Sequence, residues 1–167
     1  MNRRTFLAGS IGAMGFGAFA LIARGGQDVV AVDLVPRPTF KLTDAQWRQR
    51  LGPQSYAVLR QAATEPPFSS PLDHEHGAGT YRCAGCALPL YSSKTKFDSG
   101  TGWPSFWKPL PNAVSTRSDT SFSMARTEVL CRRCGGHLGH VFDDGPPPTG
   151  LRYCMNGLAL RFIPGVA

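Results

Sequence analysis

The chain has 167 residues, enough for one ordinary domain, with 42% hydrophobic and 10% aromatic content and a formal charge of +7. That hydrophobic content argues against a disordered chain, and 19 glycines with 14 prolines argue against a long-helix bundle and for short strands joined by turns. The basic residues are scattered, with no Lys/Arg run, which argues against nucleic acid as a partner.

Residues 1–31 read as a signal segment and the start of a linker. Arg3-Arg4 supplies a charged n-region, and the Gly- and Ala-rich run from Phe6 to Ala23 an h-region. The twin arginine points to the Tat export route, so the expected location is the periplasm, or the inner membrane if the leader is retained. Residues 32–41, with Pro36 and Pro38, read as linker. Asp44 to Ala63 carries Trp47, Leu51, Tyr56 and Leu59 at helical spacing, interrupted at Gly52-Pro53, and reads as two short helices capped by Thr43 or Asp44. Thr64-Glu65-Pro66-Pro67 stops the second helix, and a loop runs on to Gly79. Thr80–Cys83, Leu88–Tyr91, Thr95–Phe97, Ala113–Ser118, Ser121–Leu130, Val141-Phe142 and Leu158–Ile163 read as strands, with a Gly/Pro-punctuated aromatic loop over Ser99–Trp107. The pattern predicts a mainly β domain with short helices at its N-terminal end.

Five cysteines carry the chemistry. Cys83 and Cys86 form one C-x-x-C pair and Cys131 and Cys134 a second, the spacing of a four-cysteine zinc site. Four thiolates leave zinc no open position, so a single structural ion is expected. Tat export of a folded chain would let the ion bind in the cytoplasm, before the thiols meet an oxidising compartment. Cys154 is left over as the candidate nucleophile. Arg152 shares its face if the segment is a strand, and His137 and His140 are candidate donors or acids. Three other readings compete: a zinc-ribbon binding module in which Cys154 is dispensable, a zinc hydrolase using His137 and His140, which a closed four-thiolate shell disfavours, and a C-x-x-C thiol oxidoreductase, against which two such pairs in one domain argue for metal.

Three stretches, Thr95–Phe106, His137–Pro146 and Thr149–Gly157, interleaved with both C-x-x-C pairs, resemble the signature blocks of the peptide-methionine (R)-S-oxide reductases, the MsrB family, over Leu42 to Pro164. The resemblance implies a β domain of two antiparallel sheets spanning residues 42–164 and reduction of the R epimer of methionine sulfoxide through a cysteine sulfenic acid. It implies Cys154 as nucleophile, His137, His140 and Asn156 at the sulfoxide, and Trp103, Phe106 and Arg152 around the substrate. It also places this chain in the zinc-containing branch, with Cys83, Cys86, Cys131 and Cys134 as ligands. Oxidised proteins or peptides are then the substrate partners. No thiol is spare to resolve the sulfenic acid, so an external thiol reductant, such as a thioredoxin-like protein, is expected.

Overall fold

The computed structural model describes residues 39–121 and 125–165. The leader and most of the linker lie outside the described residues; no helix among those described is long and apolar enough to cross a membrane.

Two short helices come first. In α1 (Asp44–Arg50), Thr43 is the cap: its hydroxyl accepts from the Gln46 N–H while the Gln46 side chain accepts from the Thr43 N–H. Gly52 then breaks the chain, and Pro53, with no N–H to satisfy, opens α2 (Pro53–Gln61). Their buried face (Trp47, Leu51, Tyr56, Val58, Leu59) packs into the main core.

Nine strands follow among the described residues: β1 (Gly79–Cys83), β2 (Pro89–Ser92), β3 (Lys96–Phe97), β4 (Ser105–Phe106), β5 (Val114–Asp119), β6 (Arg126–Cys131), β7 (His137–Phe142), β8 (Arg152–Met155) and β9 (Leu160–Pro164). They form two antiparallel sheets, as the family resemblance implies, one ordered β2-β1-β9 and one ordered β3-β4-β8-β7-β6-β5. Aromatic rings join the sheets. Phe106 stacks on Tyr91 at 4.3 Å between centroids and meets Tyr81 edge-on at 4.8 Å, and all three are fully buried. Burying a ring of this kind contributes about 1.5–3 kcal/mol. Phe106 is therefore core: the structure places it under the sheet rather than against substrate, contrary to the expectation from the sequence. A strand of two residues inside an aromatic loop gives no periodicity by which to tell its inward face.

Candidate active site and metal centre

The two C-x-x-C turns end strands in different sheets. Cys83 closes β1 and Cys86 sits in the turn to β2; Cys131 closes β6 and Cys134 sits in the turn to β7. The turns share one hydrogen-bond pattern, with Ala87 N–H donating to Cys83 O at 2.8 Å and Gly135 N–H to Cys131 O at 2.8 Å. All four thiols are buried and their sulfurs lie within 4.8 Å of one another, with Cys83–Cys134 at 3.7 Å and Cys86–Cys131 at 3.5 Å. A tetrahedral zinc with Zn–S bonds of about 2.3 Å needs sulfur–sulfur edges of about 3.8 Å, so the donor set fits that ion. Three arginines surround it: Arg50 donates to Gly85 O, Arg133 to Cys86 O at 3.1 Å and Arg60 to Cys134 O at 3.2 Å. Their charge opposes the negative charge that four thiolates impose on a divalent ion.

Cys154 lies in β8, between β7 and β4, directly opposite His140 on one side and Ser105 on the other. The same pairing continues from His140 to Glu128 on β6 and Arg117 on β5. Directly paired residues share a face, so one row of polar side chains crosses the sheet and places the thiol among them. His137 joins this row through a bulge. Val129 faces Gly139 but Leu130 faces His137, leaving Leu138 as an extra residue on β7. Residues three apart on a regular strand point to opposite faces; the bulge turns His137 back, and its ring meets His140 at 5.4 Å between centroids. Gly139 is needed here, because a Cβ on it would lie 2.1 Å from the Cys154 carbonyl oxygen.

Carboxylates orient both histidines. His137 Nδ1 pairs with Glu128 Oε1 at 2.7 Å, and Arg117 holds the other Glu128 oxygen. Burial pushes the Glu128 carboxyl up, but the bonds from His137 and Arg117 outweigh it and hold the group below the ordinary carboxylate range. His137 Nε2 is buried and, among the described residues, without a partner. His140 Nε2 pairs with Asp119 Oδ2 at 2.8 Å. Hydrogen bonds from Ser121, and then from His140, hold Asp119 well below the usual range. Burial lowers His140 more than Asp119 raises it, so the ring is neutral near pH 7.

A cavity of about 140 Å³ opens over Cys154, walled by Trp103, Phe142, His140, Met155 and Asn156, with Thr64 and Arg126 at its edge. A larger cavity of about 500 Å³ lies elsewhere and contains no cysteine or histidine. Trp103 is fixed by its indole N–H donating to Glu65 O at 3.1 Å. Asn156 is buried and held by backbone at both ends of its amide, accepting from Glu65 N–H at 3.0 Å and donating to Leu138 O at 3.1 Å. Glu65 also accepts from the Gly157 and Leu158 N–H groups at 2.6 and 2.9 Å, so one residue ties Trp103 to the turn after Cys154. Arg152 forms a two-point ion pair with Asp144 at 2.8 and 2.9 Å and lies over the Phe142 ring.

The sequence reading missed Glu65, Asp119, Glu128 and Phe142. Glu128 and Asp119 stand in ordinary alternating strands, and only cross-strand register brings them to the histidines.

Burial pushes the Cys154 thiol above its ordinary value of 9.0; Thr101, 3.8 Å away, Arg152 and Ser105 oppose this without cancelling it. In the ligand-free protein Cys154 is therefore mostly thiol at neutral pH. Alkylation of metal-loaded protein by iodoacetamide should rise with pH, with a midpoint above 9 at Cys154. Peptide mapping that gives a midpoint below 9 would contradict this environment.

A family model described as the SelR domain matches residues 51–164. The chain is 58% identical over 123 residues to the peptide methionine sulfoxide reductase MsrB of Thiobacillus denitrificans, covering 73% of this chain and 93% of that protein. It is 58% identical over 123 residues to the protein of the same name from Bradyrhizobium diazoefficiens, covering 73% and 88%. With the Agrobacterium fabrum protein of that name it shares 52% identity over 128 residues, covering 76% and 95%.

Proposed function

The chain belongs to the SelR family of peptide methionine sulfoxide reductases, and on that premise we propose that it reduces the R epimer of peptide-bound methionine sulfoxide through a sulfenic acid at Cys154. One observation carries the assignment to this residue. Cys154 is the single cysteine outside the four-thiol cluster, and its strand position sets it beside His140 under a cavity walled by Trp103 and Phe142.

The chemistry divides among these groups. Trp103 and Phe142 give apolar walls for the methyl and thioether carbons of the substrate. The Nε2 of His137, unpartnered among the described residues, is available to the sulfoxide oxygen, because Glu128 occupies the other ring nitrogen and the ring lies against His140, which lines the cavity. Neutral His140 is suited to take the Cys154 proton as the sulfur attacks. In the balanced step, Cys154 S–H and the sulfoxide become Cys154 S–OH and the thioether. The Cys154 sulfur loses two electrons and the substrate sulfur gains them. Thr101, Ser99 and Ser105 form a hydroxyl chain beside the sulfur, with Ser99 Oγ 2.8 Å from Thr101 and 2.7 Å from Ser105. This chain suits the new S–OH group.

Cys83, Cys86, Cys131 and Cys134 would hold zinc, which supplies folding energy and no reaction step. With those four committed, the sulfenic acid is reduced by two equivalents of an external thiol, such as a thioredoxin-like partner, releasing water and a disulfide.

The test is a single turnover. One equivalent of a racemic methionine sulfoxide peptide, without reductant, should lose only its R epimer on chiral chromatography, and a sulfenic-acid reagent should mark Cys154 with the metal still bound. Loss of both epimers would remove the stereochemical assignment. A disulfide from Cys154 to one of the other four cysteines, with metal released, would remove the one-cysteine mechanism.

A further inference from the structure

Phe68 is anomalous in two ways. It is 65% exposed, and Ile163 is the other large hydrophobic exposed among the described residues. Its φ is +60°, a left-handed conformation in which a bulky side chain is an outlier. Strained positions of this kind cluster at functional sites. The surroundings hold it there. Phe68 N–H donates to Gly102 O at 2.7 Å, and the ring lies so close that a Cβ on Gly102 would stand 2.6 Å from Phe68 N and 2.8 Å from its ring. The loop under the ring is the one that brings Thr101 to Cys154 and Trp103 into the catalytic cavity.

The chain before Phe68 touches the same site. Thr64 edges the Cys154 cavity, and Glu65 O holds the Trp103 indole. Beyond the ring, Pro66, Ser69 and Ser70 border the larger cavity of about 500 Å³, with Leu72 and Leu158 among its apolar lining. The exposed ring thus rests on the loop that carries Trp103 into the catalytic cavity, in a segment whose neighbours line both that cavity and the larger one.

We propose that Phe68 forms a subsite for an apolar side chain flanking the oxidised methionine in a polypeptide. This rests on the sulfoxide-reductase reading of Cys154. A ring serving only to pin the 100–103 loop would be covered; here one face rests on Gly102 and the rest is in water. An apolar neighbour of the sulfoxide buries that remaining surface, whereas an isolated methionine sulfoxide ends inside the catalytic cavity and does not reach the ring. The substrate class is therefore polypeptide with apolar residues beside the oxidised methionine.

Steady-state kinetics of the metal-loaded wild type, F68A and F68W test this with three substrates: N-acetylmethionine sulfoxide, and pentapeptides with the sulfoxide flanked by leucine or by glycine. The wild type should favour the leucine-flanked peptide through KM, by about tenfold in kcat/KM, the worth of one well-filled apolar contact. F68A should lose that preference while its kcat for the N-acetyl substrate changes by less than twofold, and F68W should keep it. A wild type without flank preference would overturn the subsite. So would an F68A that slows all three substrates by one common factor, since that marks Phe68 as a pin for the loop. A wild type that reduces none of the three would remove the reductase reading itself.

Discussion

Cys154→Ser should abolish sulfoxide reduction, by on the order of 10⁴-fold or more, as loss of a nucleophile does elsewhere, while metal content and melting temperature stay at wild-type values. The separation follows from position. Cys154 is partly buried in the interior strand β8, and the four-thiol cluster is built from the ends of β1 and β6 and the turns after them. Serine fits the same space, and its hydroxyl joins the chain formed by Ser99, Thr101 and Ser105. It lacks a sulfur that can take the oxygen and give up two electrons, so the two-electron step has no donor. Retained turnover in this variant, followed by thioether release from a sulfoxide peptide, would sink the role given to Cys154.

Cys83→Ala or Cys131→Ala should act in the reverse order, with metal lost first, then the fold, and activity only as a consequence. Structural zinc contributes on the order of 10 kcal/mol in small domains, comparable with the whole stability of a domain, roughly 5–15 kcal/mol. The effect reaches the active site because β7 begins three residues after Cys134 and carries both histidines. Metal content by atomic emission, read beside a thermal melt, checks this. A metal-free variant that melts like the wild type would contradict a structural role for the cluster.

The sequence carried the parts of this protein that depend on short-range pattern. The Gly52-Pro53 break between helices, the paired C-x-x-C turns and the alternation of β5 and β6 are all local signals. What it hid depends on register. β4 is two residues long and exists as a strand because β3 and β8 flank it, so Phe106 read as a loop aromatic near substrate while the fold uses it as the plug between two tyrosines. The bulge at Leu138 turns His137 toward His140, and no spacing rule distinguishes that from a regular strand. Asn156 was legible as a neighbour of the site, but not that backbone groups of Glu65 and Leu138 occupy both ends of its amide.

The pairing of β1 with β9 sets Gly79 against Pro164, at the two ends of the β domain. During synthesis, then, the three-stranded sheet stays incomplete until Leu160–Pro164 has been made. Until that moment β1 has only β2 beside it, and a lone two-stranded hairpin is marginal in water. Closing so long a stretch of chain is an entropic cost met before its contacts are gained, which slows folding. The whole catalytic row precedes β9, so a chain cut short before Leu160 contains every residue of the site without the strand that pairs with β1 and covers Tyr81 through Phe162. The timing of translation thus reserves a stable fold, and with it a working thiol, for chains that include β9.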